Sequence, residues 1–168
     1  MRTIMTLVKS VRRLRRDEEG STMVETALVS AAFFAMLLGC FQASFAFYAS
    51  HCVDEAARET SRYLMVRGST SCTNTPGLSN CGITDATAIQ TYVRSISYPG
   101  IQPSQLTVSV TWLSASAQPT SWTACTGACN APGNQVRVVA TYPFNFAIPL
   151  APKTVFNISS TSTMMISQ

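Results

Sequence analysis

Arg12-Arg13-Leu14-Arg15-Arg16-Asp17-Glu18-Glu19-Gly20-Ser21-Thr22-Met23-Val24-Glu25 runs directly into an apolar stretch, Thr26 to Ser50, of 25 residues without a charge. About 20 apolar residues are enough to cross a bilayer as a helix. Glu25 stands at the mouth of that span, five residues after Gly20. A charged side chain at mid-bilayer costs roughly 2.5–3.5 kcal/mol, and less near the interface. A carboxylate kept in that position is a candidate functional residue and calls for a partner.

Working outward toward the N-terminus, the charge balance explains itself. The formal net charge is +4, but residues 1–20 hold six of the twelve Lys and Arg and three of the eight Asp and Glu, so they contribute +3 and the rest about +1. The basic character is that of a leader, and no nucleic-acid partner is expected. Basic residues flanking the N-terminal end of a span hold that end in the cytoplasm. The chain is therefore expected to be single-pass, N-in and C-out, in a lipid bilayer.

Outward in the other direction, no Pro or Gly falls between Cys40 and Arg67, and Gly68 is a stop signal. Val53, Ala56, Ala57, Thr60, Tyr63 and Leu64 recur at helical spacing and form one face. Asp54, Glu55, Arg58, Glu59 and Arg62 form the other, a solvated face with Asp54–Arg58, Glu55–Arg58 and Glu59–Arg62 at ion-pair spacing. One helix from Thr22 to Arg67 is about 70 Å long at 1.5 Å per residue. That exceeds a bilayer, so its outer third must pack on a domain of the same chain.

The remainder predicts that domain. Residues 69–82 read as a loop. Asp85 to Ser97 reads as a short helix, with Thr84 or Asp85 at its cap and Pro99-Gly100 at its end. Leu106, Val108, Val110 and Trp112 alternate with Thr107, Ser109 and Thr111, the pattern of a half-buried strand. Residues 114–134 read as a polar loop, Val136 to Tyr142 as a second strand closed by Pro143, and Thr154 to Ile166 as a third. The expected fold class is α+β: a long N-terminal helix, transmembrane and then amphipathic, packed on a small three-stranded antiparallel sheet with one short helix. The expected segments are a basic leader at 1–20, the transmembrane half at 21–50, the amphipathic continuation at 51–68 and an outer α+β domain at 69–168.

Four of the six cysteines, Cys72, Cys81, Cys125 and Cys129, lie on the outer side, where disulfides persist. Spacing leaves the connectivity open; Cys72 with Cys81 and Cys125 with Cys129 is the simplest pairing. Cys40 and Cys52 are about 18 Å apart along one helix and cannot pair with each other. Cys52, just outside the span, is available to a loop cysteine or to another chain. With His51 the single histidine, no metal site is expected. The acids outside leader and span sit on the charged helix face or, for Asp85, near a helix start. No catalytic set, phosphate loop or cofactor site emerges, so an enzyme is not expected.

Gly20 followed by Glu25 resembles the processing signal of type IV prepilins, and Ser21-Thr22-Met23-Val24-Glu25-Thr26-Ala27-Leu28-Val29 resembles the TadE-like minor pilins, or pseudopilins, of the tight-adherence (Flp) pilus. Thr26 stands where that pattern has an aromatic residue. The resemblance continues through Asp54-Glu55-Ala56-Ala57-Arg58-Glu59 and Val136 to Tyr142. It implies cleavage between Gly20 and Ser21 by a prepilin peptidase, and an assembly role for Glu25 against the new N-terminal amine of a neighbouring subunit. It implies as further partners a sister pseudopilin, the major Flp pilin and the inner-membrane assembly platform, in a bacterial inner membrane. Ala27, Ala31, Ala35, Gly39 and Ala43, four apart, suit close packing of membrane helices.

The alternative is a membrane-anchored periplasmic binding domain unrelated to pili. Its lipidated version rests on Leu37-Leu38-Gly39-Cys40, which resembles a lipobox. Against it, Asp17, Glu18, Glu19 and Glu25 interrupt the would-be signal peptide, and the chain stays apolar through Tyr48. A secretory signal cut near Ser44 to Ala49 is a further alternative, and a twin-arginine signal at Arg12-Arg13 meets the acidic cluster that follows it.

Overall fold

The computed structural model describes residues 18–96, 98–115, 121–125, 129–146 and 154–167. A helix, α1, runs from Glu18 to Met65, 48 residues in one piece. At 1.5 Å per residue it is about 72 Å long. A single turn, α2 (Ser71–Asn74), and a second full helix, α3 (Ala86–Ser95), follow. The strands are β1 (Thr107–Ala115), β2 (Trp122–Ala124), β3 (Gln135–Phe146) and β4 (Thr154–Met165). They form one antiparallel sheet in the order β2-β1-β3-β4. The class is α+β, as the sequence predicts.

The strand count is the correction: four described strands rather than three. Trp122–Ala124 lies in the stretch read as loop, and pairs with Leu113, Ser114 and Ala115. Three residues are too few to display an alternation, so no periodic signal marked them. Residues 71–74 likewise make one helical turn inside a segment read as loop. β3 also continues past Pro143 to Phe146. Its pairing with β1 stops at Thr141, while pairing with β4 continues to Phe146. Pro143 therefore sits where the strand has a neighbour on one side only, and its missing N–H is tolerated there.

The helix–sheet interface follows from side-chain size. Val136, Val138, Ala140, Tyr142 and Phe144 alternate along β3 and are all buried. α1 lies across β3 and β4, and α3 lies on β1 and α1. The face that α1 presents is narrow: Ala49, Val53, Ala56, Ala57, Thr60 and Ser61 are buried along it. β4 answers with serines at two inward positions. Ser160 Oγ donates to Asp54 Oδ1 at 2.6 Å, and the Ser61 and Ser162 hydroxyls meet at 2.7 Å. Polar atoms buried in this seam are thus paired, and no buried side-chain N or O among the described residues lacks a partner. Asp85 caps α3, accepting from the backbone N–H groups of Thr87 and Ala88 at 3.1 Å each.

Two apolar clusters result. The lower one joins Ala49, Val53, Ala56, Val93, Ile101, Leu106 and Tyr142 near the point where α1 leaves the domain. The upper one joins Leu64, Ile83, Ile89, Trp112, Val136, Val138 and Ile166. Below the lower cluster, α1 projects alone.

Candidate functional site: the projecting half of the long helix

From Gly20 to Tyr48, every described side chain of α1 is exposed except Gly39, Gln42 and Ala46, which are half-buried. The exposed set is large and apolar: Met23, Val24, Leu28, Val29, Phe33, Phe34, Met36, Leu37 and Phe41 among others. Such a surface is not stable in water at this length, and α1 is long and apolar enough to cross a membrane. It fits a single-pass membrane anchor. Three hydroxyls in the projecting half, those of Thr26, Ser30 and Ser44, close on their own helix. Thr26 donates to the carbonyls of Thr22 (2.9 Å) and Met23 (3.0 Å), Ser30 to Thr26 (2.6 Å) and Ser44 to Cys40 (2.9 Å). Each hydroxyl proton is then satisfied without water, as a lipid environment requires.

Glu25 is the exception. It is the one Asp, Glu, Lys or Arg between Gly20 and Val53, it is exposed, and among the described residues it makes no hydrogen bond or ion pair. Gly20, Ser21 and Glu25 stand together at the head of α1, with Gly20 about 7.5 Å below Glu25 along the axis. A Cβ built on Gly20 meets nothing within 4 Å, so no contact among the described residues demands glycine there. Ala27, Ala31, Ala35 and Ala43 are exposed and Gly39 half-buried. At 100° per residue their stripe turns about 40° per step around the helix, and its upper end, Ala43, faces Phe146, Phe156 and Ile158 across a groove.

The neck between this half and the domain is aromatic. Phe45 stacks on Tyr48 (6.1 Å between centroids) and leans on Phe144 (5.8 Å), which meets Phe146 at 4.9 Å. Tyr48 Oη donates to the Pro99 carbonyl at 2.9 Å. Gly100 has φ +77, and a Cβ there would stand 3.3 Å from the Phe45 ring. Both the backbone and the close approach require glycine at this turn.

The charged face departs from its expected pairing. Among the described residues, Asp54–Arg58 is the one ion pair formed. Glu59 turns instead toward α3, where Tyr92 Oη donates to it at 3.3 Å. Glu55–Arg58 and Glu59–Arg62 are not formed. Tyr92 in turn stacks on Tyr63 (3.7 Å), with the Arg67 guanidinium 3.9 Å from the Tyr63 ring centre. The Ser160 hydroxyl, and beyond it Arg58, holds the Asp54 carboxyl below its usual range. Burial, with Glu59 beside it, raises Tyr92. Burial and the Glu55 charge push Tyr98 up to about 12.

The structure pairs Cys72 with Cys81 (Cα–Cα 5.6 Å) and Cys125 with Cys129 (6.3 Å). Cys40 is free and exposed on the projecting half; Cys52 is free and buried in the lower cluster, facing no loop cysteine. No group of His, Cys, Asp and Glu able to hold a metal occurs among the described residues. Sequence reasoning missed the aromatic neck and the Tyr63–Tyr92 stack. The alternation of Phe144 and Phe146 past Pro143 was the available sign of the first.

Residues 20–62 match the family model described as TadE-like protein. The match begins at the glycine, covers the projecting half and most of the packed half of α1, and ends before the sheet. Curated proteins and solved structures give no match to the chain.

Proposed function

We propose that this chain is a minor pilin or pseudopilin of a tight-adherence (Flp) pilus system, acting mechanically in filament assembly and not as a catalyst. It is inserted N-in through the inner membrane, cut between Gly20 and Ser21 by a prepilin peptidase, and used with a sister pseudopilin, the major pilin and the assembly platform. The observation that carries the reading is Glu25. It is the one carboxylate between Gly20 and Val53, on an apolar helix, five residues from a glycine that no contact among the described residues requires. The family match over the same segment supports it.

The chemistry of such a site is that of a buried ion pair. Cleavage after Gly20 creates an ammonium at Ser21. In a bundle of identical or similar helices, the ammonium of one subunit and Glu25 of its neighbour meet at one axial stagger. Leaving either group unpaired in the apolar bundle costs about 3–5 kcal/mol, so other staggers are disfavoured. The small-residue stripe Ala27, Ala31, Ala35, Gly39 and Ala43 allows the close approach this needs.

The test replaces charge without changing shape. Glu25→Gln in the native host should leave the protein processed and at wild-type level while piliation is lost, and Gly20→Arg should leave the precursor in the membrane. Normal pilus numbers with Glu25→Gln at wild-type abundance would refute the assembly role.

A further inference from the structure

The domain does not end cleanly at the neck. Beside α1, on the side away from Gly100, a groove of about 380 Å³ is lined by Ala43, Ala46, Phe47, Phe146, Phe156 and Ile158. Phe47 is 71% exposed and Phe156 60%. Phe156 pairs with Phe144 at the end of β4 nearest the projecting helix, and Val155 beside it is 63% exposed. Soluble surfaces seldom expose contiguous apolar patches of this kind without a partner.

Its depth identifies the partner. A hydrocarbon core of about 30 Å takes about 20 helical residues. With Glu25 at the cytoplasmic boundary, Thr26 to Phe45 fills the core. The polar layer outside it is about 5–7 Å thick per leaflet, so Ala46 to Ser50 passes through it. Phe146, Phe156 and Ile158 lie against Ala43, Ala46, Phe47 and Ser50, hence at the same level. Helix tilt, about 20° on average, only moves the boundary further along α1 and draws the domain deeper. The described segments at this end of the domain, 98–106, 141–146 and 154–159, contain no charged residue; Lys153, next to Thr154 in sequence, lies outside the described residues. The nearest charges on α1 are Asp54 and Glu55, at least one turn above.

Resting on the reading of α1 as a membrane span, we propose that the base of the domain is a lipid-contact surface. Phe47, Phe146 and Phe156 enter the headgroup–acyl boundary of the outer leaflet, and lipid chains fill the groove. The patch is continuous with the span, so the same bilayer covers both. The domain is thereby seated on the membrane, with the sheet fixed relative to it, and does not stand off on a free stalk. Withdrawing a subunit from the bilayer then means stripping lipid from the domain base as well as from the helix.

The test uses the full chain, one copy per lipid nanodisc, with bromines placed on the acyl chains at shallow or deep positions. Phe156→Trp reports the base, Met165→Trp the far end of β4 about 30 Å away at 3.3 Å per residue, and Phe33→Trp the span. The parent spectrum, from Trp112 and Trp122, is subtracted. The added Trp at 156 should emit blue-shifted and be quenched most by shallow bromines, that at 33 most by deep ones, and that at 165 by neither. Deep quenching at 33 with water-like, unquenched emission at 156 would overturn the seating while leaving the span intact. Absence of quenching at 33 would overturn both. Shielding at 156 that appears only when two copies share a disc would assign the groove to a second chain and overturn the lipid proposal.

Discussion

Leu64→Ala isolates the contribution of the packed half of α1. Leu64 is fully buried, in the cluster it shares with Ile83, Ile89, Trp112, Val136, Val138 and Ile166. The substitution removes three carbons. Transfer alone, at about 0.8 kcal/mol per methylene, gives roughly 2.5 kcal/mol. The cavity walls belong to a helix and a sheet that cannot close on each other, so a cavity term adds to it, within the range of about 2–5 kcal/mol for such changes. With a urea dependence of about 2 kcal/mol per molar, inside the usual 1–3, the midpoint should fall by about 1–2.5 M. The assay is a urea titration of the full chain in detergent micelles, read by Trp112, which lies in the same cluster. Leu28→Ala is the control: Leu28 is 67% exposed on the projecting half, and its loss should leave the midpoint in place. Far-ultraviolet dichroism after the transition should retain the helix of the span. A Leu64→Ala loss below about 1 kcal/mol, or an equal shift for Leu28→Ala, would refute the division of one helix into a packed and a projecting half.

Tyr98 offers a pH test. Burial raises its folded value to about 12, against about 10 for an unfolded phenol. Because the folded value is the higher, its contribution to stability is whole below about pH 10 and is lost as pH rises from there toward 12. Tyrosinate absorbance should show a late-titrating step that Tyr98→Phe removes; if the late step survives, the assignment is wrong. Peptide mapping without reductant should link Cys72 to Cys81 and Cys125 to Cys129. Maleimide should reach Cys52, buried in the lower cluster, only after unfolding, and recovery of free thiols at the four outer positions would contradict the fold as described.

The legible parts of this chain were those with long periodicity. The apolar run and the three- and four-residue spacing of Val53, Ala56, Ala57, Thr60 and Leu64 sufficed for α1, and all five are buried against the sheet. Alternation sufficed for β1 and most of β3. What escaped was set by tertiary partners. Trp122–Ala124 is a strand because β1 offers an edge, not because three residues display a pattern. Ser160 and Ser162 occupy inward positions of β4, where an apolar side chain is the usual expectation, because Asp54 and Ser61 on α1 complement them. Glu59 left its i,i+3 neighbour for a tyrosine on α3, which no local spacing reveals. Gly20 and Glu25 were legible for a different reason. They stand out as residues for which packing among the described residues gives no cause.

The central claim is that Gly20 and Glu25 belong to a processed pilin-type subunit, and the mature N-terminus tests it most directly. The protein should be isolated from its native envelope, with the peptidase present, and its first residue determined by intact mass and N-terminal sequencing. The account predicts a chain beginning at Ser21. A chain that retains the leader, begins at a lipid-modified Cys40, or starts anywhere else would contradict it.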